Sequence, residues 1–261
     1  MPPHRPDLSS LGDHRRPRRA MVPLGPLDLD ARLGGGLASG ALHEVLALSA
    51  DGAAAGGFAL GLAARAAGGR PILWARQVRL DREVGRPHGA GVAELGLEPR
   101  DVSLVRARDA AAALASALEG ARCPGLGAVL VELWGQPPAL DLAAGKRLAL
   151  AASRTGVVVI LLRARAEPRP SPAWTRWEVA AAPSRPLEAN APGPPAWRAR
   201  LVRHRGGVGE AEWRLEWDRE RRRFAIGDGI GIGIGAEGAA PPRAVAALPA
   251  GRARAAGGGA R

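Results

Sequence analysis

The sequence predicts an α/β fold in which a mainly parallel central sheet is flanked by helices and extended by C-terminal antiparallel strands. Apolar runs of strand length alternate with alanine-rich stretches of helical length through most of the chain. Near-continuous apolar strands with helices between them are typical of a parallel sheet that is covered on both faces. Closer to the C-terminus, apolar and charged residues alternate strictly, which indicates strands with one buried and one wet face.

The parallel core is predicted from elements that alternate along the chain. Its strands are the apolar runs at residues 41–48, 71–75, 102–105, 128–132 and 157–162. Its helices are the stretches at residues 56–67, 92–95, 109–121 and 140–153. In the third helix Leu114 and Leu118 lie one turn apart, and Asp109 stands where its side chain can cap the first turn.

The antiparallel extension follows a Pro-rich linker. In "AEWRLEWD", Trp213, Leu215 and Trp217 alternate with charged residues, and the earlier segment "WRARLVRH" has the same pattern. The intervening "RGGVGE" supplies the glycines of a hairpin. Phe224 and Ile226 predict a last short strand.

These patterns divide the chain into four regions. A basic disordered tail at residues 1–20 precedes the core at residues 21–186. The extension, at residues 187–226, belongs to the same domain, and residues 227–261 form a disordered tail of Gly, Ala, Pro and Arg. Both tails are predicted to be disordered because they hold too little apolar surface to offset the entropy of ordering.

The charge of the chain favours a polyanionic partner without requiring one. Lys and Arg outnumber Asp and Glu by 37 to 25, which gives a net charge of +12 and a field that attracts nucleic acid. All the basic residues except Lys146 are arginines, and arginine is also a frequent solvated surface residue. Both interpretations of the charge therefore stay open.

The remaining composition excludes several classes of site. The single cysteine, Cys123, excludes an internal disulfide and a cysteine zinc cluster, and it favours a reduced, cytoplasmic protein. No apolar stretch has the length of a membrane span, and the histidines lack the spacing of metal ligands. We therefore expect no membrane association, no metal and no cofactor.

The stretch "VLALSADGAAAGGFAL", residues 45–60, has the outline of a phosphate-binding loop, because a buried strand, a small-residue loop and a helix follow one another. A working loop of this kind needs a lysine for the β- and γ-phosphates and a Ser or Thr for Mg²⁺. Neither is present after Ser49, and Asp51 adds negative charge beside any phosphate. Gly52, Gly56 and Gly57 are still able to form an anion-binding turn, so these five residues mark a degenerate phosphate site.

Several phrases of the sequence resemble the ImuA family. They are "VPLGPLDLDARLGGGLASGALHEVLALSADGAAAGGFALGLAAR", "RPILWARQ", "LVRARDAAAALASALEGARCPGLGAVLVEL", "KRLALAASRTGVVVILLRARA" and "TRWEVAAAPS". The resemblance covers roughly residues 21–226. The resemblance implies a RecA-like core with a degenerate ATPase site. It also implies an accessory role in SOS mutagenesis beside ImuB and an error-prone C-family DNA polymerase, with RecA and DNA as further partners.

Three more segments take their meaning from this resemblance. The phrase "PLGPLDLDARLGGGL" is similar to the opening of RecA-like cores, which implies structural roles for Asp30 and for the glycine turn that ends at Gly36. Glu132 stands where RecA-like proteins usually carry the aspartate that organises Mg²⁺. The position of their water-activating glutamate falls near Arg76 or Gln77, and neither side chain is a general base. The resemblance therefore implies that ATP hydrolysis is lost.

Two surfaces are candidates for contacts with DNA or a protein partner. The first is the polar insertion after the second core strand, where a spacing of three to four residues favours one helical face for four arginines: Arg76, Arg79, Arg82 and Arg86. The second is in "PAWTRWEV", where Trp174 or Trp177 is a candidate interface anchor. The alternatives are a solvated loop for the arginines and core packing for the tryptophans, since the chain has only two Phe and no Tyr.

Three functions are compatible with the sequence. The first is a non-catalytic adaptor in translesion DNA synthesis, and the basic charge favours it. The second is a RecA-type ATPase with an atypical nucleotide site, which nucleotide-dependent stabilisation would distinguish. The third is a SulA-like inhibitor of the division protein FtsZ, which a polymerisation assay would distinguish.

Overall fold

A nine-stranded sheet with helices on both faces dominates the computed structural model, which describes residues 19–47, 51–184, 187–191 and 193–227. The strands of the described chain are β1 (Met21–Val22), β2 (Leu37–Ala38), β3 (Leu42–Ala47), β4 (Ile72–Gln77), β5 (Val102–Ala107), β6 (Ala128–Trp134), β7 (Val158–Ala164), β8 (Thr175–Ala181), β9 (Ala196–His204), β10 (Ala211–Asp218) and β11 (Arg223–Ile226). Its α-helices are α1 (Leu27–Arg32), α2 (Gly52–Ala67), α3 (Leu80–Glu83), α4 (Gly89–Glu94), α5 (Ala110–Ala121) and α6 (Leu142–Thr155).

The strand order of the large sheet is β11-β10-β9-β8-β3-β7-β6-β4-β5. The six strands from β8 to β5 in this order pair in parallel, whereas β9, β10 and β11 join β8 in antiparallel pairs. This arrangement confirms the predicted fold class. The sequence pattern did not reveal β8, because a proline-rich stretch precedes it and a short strand with alternating charges lacks the apolar run of its neighbours.

Helix α2 starts earlier than predicted. Its first residue is Gly52, so the stretch that we expected to be a loop is already helical. Ala53, Ala54 and Ala55 are strong helix formers, and they carry the helix back over the expected loop. The predicted cap of α5 is confirmed, because the side chain of Asp109 accepts a hydrogen bond from the backbone N–H of Ala112 at 2.8 Å.

The face of the sheet that packs against α2 holds the aromatic core. The ring of Phe58 lies 5.8 Å from that of Trp177, 6.0 Å from that of Trp197 and 5.3 Å from that of Phe224. Since Trp197 and Phe224 belong to the antiparallel strands, this cluster joins the extension to the parallel core. The opposite face packs against α5 and α6 through smaller side chains, among them Ala113 and Ala117.

The segment before the first core strand has the structural role that the resemblance implies. The carboxylate of Asp30 accepts hydrogen bonds from the backbone N–H groups of Leu24 and Gly25, at 2.7 and 3.0 Å. Gly36 has a φ of 121°, and a Cβ there would lie 2.1 Å from the carbonyl oxygen of Val22. Only glycine fits this turn.

Throughout the described ranges, every helix is too short or too polar to cross a membrane.

Candidate functional site

The degenerate phosphate site lies where the start of α2 meets the C-terminal ends of β4 and β6. A cavity of about 240 Å³ opens there, which we call the α2 cavity. Its lining includes Gly52 and Gly56 from α2, Arg76 from β4 and Glu132 from β6. Ligands of open parallel sheets commonly bind beyond the carboxyl ends of the strands, so this is the expected place for a site.

The start of α2 is covered by a side chain. A Cβ on Gly52 would lie 2.5 Å from Cγ1 of Val84, which shows that Val84 packs directly against the first helical residue. Asp51 precedes the helix, and its side chain makes no capping hydrogen bond. Ser49, the remaining predicted member at this end, lies outside the described residues.

Gly56 and Gly57 do not belong to a phosphate-binding turn. Both lie within α2, and neither is among the glycines with positive φ. The space beside Gly57 is occupied by the ring of Trp197, whose Nε1 donates a hydrogen bond to the carbonyl oxygen of Ala54 at 2.8 Å. The prediction that all three glycines form an anion-binding turn is therefore wrong, because α2 uses Gly57 to approach a strand of the extension.

Glu132, which the resemblance places at the Mg²⁺-organising position, forms an ion pair with an arginine. Its Oε2 accepts hydrogen bonds from Nε of Arg76 at 2.6 Å and from Nε1 of Trp74 at 3.1 Å. The side chains of Arg76 and Glu132 are 4% and 2% exposed, so this ion pair is closed to solvent. Burial raises the pKa of the Glu132 carboxyl, and the charge of Arg76 and the two hydrogen bonds oppose this effect only in part.

The guanidinium of Arg76 is engaged on every side. Its Nη1 contacts Oδ1 of Asp81 at 2.6 Å, and its Nη2 donates to the carbonyl oxygen of Gly85 at 2.8 Å. Asp81 also contacts Nη2 of Arg106 at 2.5 Å. Arg76 thus holds the segment after β4 against the sheet, and the same segment carries Val84 to the start of α2.

This arrangement corrects the prediction for the arginine surface. Arg76 is buried and cannot contact DNA or a partner without breaking the ion pair. The predicted common helical face is absent, because α3 has only four residues and Arg76 belongs to β4. Arg79, Arg82 and Arg86 are exposed, although Arg79 pairs with Glu83 and Arg86 lies 3.6 Å from Asp81.

The two predicted tryptophan anchors have different environments. Trp177 is fully buried, and its Nε1 donates a hydrogen bond to Oγ1 of Thr175 at 2.9 Å, so this candidate is not an interface anchor and has the alternative role of core packing. Trp174 is half-buried, and it lies under the guanidinium of Arg19, 5.3 Å from the ring centroid. The ring of His204 meets it edge-on at 6.2 Å. Only Trp174 retains accessible surface.

Sequence reasoning missed three members of the site, Trp74, Asp81 and Val84. The period of two in a strand places Trp74 and Arg76 on one face of β4, which is a signal that the sequence does hold. No sequence signal indicates that Val84 covers Gly52, since this contact depends on the path of the segment after β4.

Within the described residues no cluster of His, Cys, Asp and Glu is suited to hold a metal ion. Lys146 lies on α6, which packs on the other face of the sheet.

Comparison with known proteins assigns the family. Protein ImuA from two strains of Caulobacter vibrioides is 34% identical to this chain over 193 residues, which cover 67% of this chain and 74% of the relative. The chain belongs to the ImuA family. A solved structure with a similar fold is the crystal structure of the RadB recombinase, with a TM-score of 0.54, 18% identity and coverage of 78% of this chain and 98% of that one. This likeness shows a shared RecA-like fold, and no protein-family model matches the chain.

Proposed function

We propose that this ImuA-family chain is a non-catalytic accessory protein of mutagenic translesion DNA synthesis in the SOS response. In this proposal it acts in the cytoplasm with ImuB and an error-prone C-family DNA polymerase. Membership of the ImuA family supports the pathway. The geometry of the α2 cavity supports the absence of catalysis.

The buried ion pair between Arg76 and Glu132 is the observation that carries the proposal. Hydrolysis of a nucleoside triphosphate needs a carboxylate that can organise Mg²⁺ and a base or positioning residue for the attacking water. Here the carboxylate is already neutralised by Arg76 at 2.6 Å, and both groups are out of contact with water. A metal ion could reach this carboxylate only if the segment after β4 opened, because the guanidinium of Arg76 makes three further hydrogen bonds, to Asp81 and to the carbonyl oxygens of Leu80 and Gly85.

Phosphate binding is opposed by the same segment. The start of a helix attracts phosphate through free backbone N–H groups, but Val84 covers this one at Gly52. The chain has no lysine in this region, and its single lysine lies on the far side of the sheet. We therefore infer that the RecA-like core serves as a scaffold for protein contacts.

The exposed arginines and Trp174 are the surfaces that we propose for contacts with the complex. Arg79, Arg82 and Arg86 project from the segment after β4, next to the cavity. They suit either DNA phosphates or an acidic protein surface, and RecA is a further candidate partner. Trp174 directly precedes β8, and its half-buried ring lies beside His204 at the end of β9.

A pull-down of the purified chain with ImuB from the same organism tests the proposal. We expect ImuB to be retained equally with and without ATP and Mg²⁺ at one fixed salt concentration. Absence of ImuB binding would contradict the adaptor role. ATP-dependent binding of single-stranded DNA without ImuB binding would instead support a RecA-type ATPase.

The nucleotide arm of this test uses thermal unfolding. We expect ATP with Mg²⁺ to leave the Tm unchanged at concentrations up to the millimolar range, since a ligand that does not bind the native state cannot stabilise it. A rise of Tm with ATP concentration would show a working nucleotide site and would overturn the non-catalytic part of the proposal.

A further inference from the structure

A second cavity, of about 310 Å³, lies on the α5 and α6 face of the sheet, between the start of α6 and the segment that precedes β8. We call it the α6 cavity. Most of its wall is apolar and consists of Leu140, Leu142, Leu161, Pro170 and Pro172. Leu142, which lines the cavity, is 46% exposed and continues the apolar wall onto the accessible surface.

Buried charges form the floor of the α6 cavity. Both oxygens of Glu44 are occupied: Oε1 accepts from Nη1 of Arg163 at 3.0 Å, and Oε2 accepts from Nε of Arg176 at 2.8 Å. The side chains of Glu44 and Arg163 are 1% and 3% exposed. The Nε of Arg163 is buried, and no group in the described part of the chain accepts a hydrogen bond from it.

The cavity has an excess of positive charge. Three guanidinium groups, of Arg163, Arg169 and Arg176, face two carboxylates, of Glu44 and Asp141. The Asp141 carboxylate already caps α6, since its Oδ1 accepts from the backbone N–H of Ala144 at 2.6 Å. Because the Glu44 carboxylate is shared by two guanidinium groups, the positive charge at the floor is only partly compensated, which favours an incoming anion.

We infer that the α6 cavity is a docking site for a peptide segment of a partner protein in which a carboxylate side chain is flanked by apolar residues. The carboxylate would pair with the exposed guanidinium of Arg169, in the positive field of the buried Arg163, and the apolar neighbours would pack on Leu142 and Pro170. A phosphodiester backbone fits less well, because it is polar along its whole length and gains nothing from apolar walls. The inference rests on the adaptor proposal, for which it supplies the chemistry of one partner contact.

A random peptide library displayed on phage, selected against the purified chain alone, tests this inference. We expect enrichment of peptides that place Asp or Glu beside Leu, Phe or Ile. Two variants at the cavity, Arg169→Ala and Leu142→Ser, should each weaken the binding of a selected synthetic peptide at least tenfold. Two matched controls, Arg154→Ala and Leu150→Ser, change exposed residues of α6 and should leave the binding of this peptide unchanged.

Three outcomes would overturn the inference. The first is a selection that does not enrich such peptides, and the second is that the enriched peptides bind the cavity variants as tightly as the native chain. The third is that a single-stranded oligonucleotide, and no peptide, loses binding in Arg169→Ala, which would assign the cavity to phosphate. Since this assay contains no ImuB, its failure leaves the ImuB pull-down as a separate test of the adaptor role.

Discussion

Nε of Arg76 lies 2.6 Å from Oε2 of Glu132 in the closed interior between two parallel strands. The two residues are directly opposite each other in the register of β4 and β6. A cation therefore stands beside the carboxylate that the family resemblance places at the Mg²⁺-organising position. The consequences of this pair for stability can be measured separately from any function.

Replacing Arg76 by Met leaves the Glu132 carboxylate buried without its partner. We expect Arg76→Met to lower the free energy of unfolding by about 3–5 kcal/mol, measured by urea denaturation. The control Arg79→Met removes an exposed arginine three residues away and should cost less than about 1 kcal/mol. Adding Glu132→Gln to Arg76→Met should recover part of the loss, because no buried charge then remains unpaired. Equal losses for Arg76→Met and Arg79→Met would contradict the buried pair.

The packing of Val84 against Gly52 predicts opposite effects for two glycines of one helix. Gly52→Ala places a Cβ 2.5 Å from Cγ1 of Val84, and we expect it to destabilise the fold by about 1–3 kcal/mol. Gly56→Ala meets no atom closer than 4.0 Å and should stabilise α2 by up to about 1 kcal/mol. Thermal and urea unfolding measure both changes.

Shortening Val84 provides the control for this pair. In the Gly52→Ala background, Val84→Ala should restore most of the lost stability, because it removes the clashing methyl groups. If the double variant is no more stable than Gly52→Ala alone, Val84 does not cover the start of α2.

His43 predicts a specific pH dependence of stability. Its Nδ1 lies 2.7 Å from Oγ1 of Thr175 and its Nε2 lies 2.9 Å from the carbonyl oxygen of Ala38. Since the carbonyl oxygen of Ala38 can only accept, the neutral ring carries its proton on Nε2, and the Thr175 hydroxyl donates to Nδ1. Burial lowers the pKa of His43 from 6.5 to about 4.

The sign of the effect follows from which state binds the proton. Between pH 6.5 and about pH 4 the unfolded chain holds a proton on His43 that the folded chain does not. Stability from this group is complete above pH 6.5 and is lost as the pH falls through this window, by about 3 kcal/mol in total. His43→Gln should remove that part of the slope in urea unfolding at several pH values, whereas the exposed control His88→Gln should keep it. A slope that is unchanged in His43→Gln would disprove the assignment.

The aromatic cluster predicts that the antiparallel extension folds with the core. A chain of residues 19–227 should unfold in one cooperative transition. A chain of residues 19–184 lacks Trp197, Trp217 and Phe224, and it leaves Phe58 and Trp177 exposed to water. We expect it to show no cooperative thermal transition by near-ultraviolet circular dichroism. A cooperative transition in the shorter chain would mean that the extension is a separate domain.

Some parts of the fold could be read from the sequence because they depend on local pattern. The apolar runs of five parallel strands and the alternation of Trp213, Leu215 and Trp217 needed only a window of neighbouring residues. Capping by Asp109 was readable for the same reason. The start of α2 was placed too late, since a glycine pair commonly ends a helix, and the packing of Trp197 beside Gly57 is visible only in the tertiary structure.

The sequence by itself determined the order of the five apolar strands of the parallel core, the family, the absence of a lysine in the phosphate loop and the excess of positive charge. Only the tertiary structure decided which charged side chains are buried and which of them form ion pairs. Arg76 and Glu132 are 56 residues apart, and the sheet order that places β4 beside β6 brings them together in the interior. Burial then converts an arginine that the sequence assigned to the surface into the partner of a carboxylate, because a charge removed from water is stable only beside its opposite.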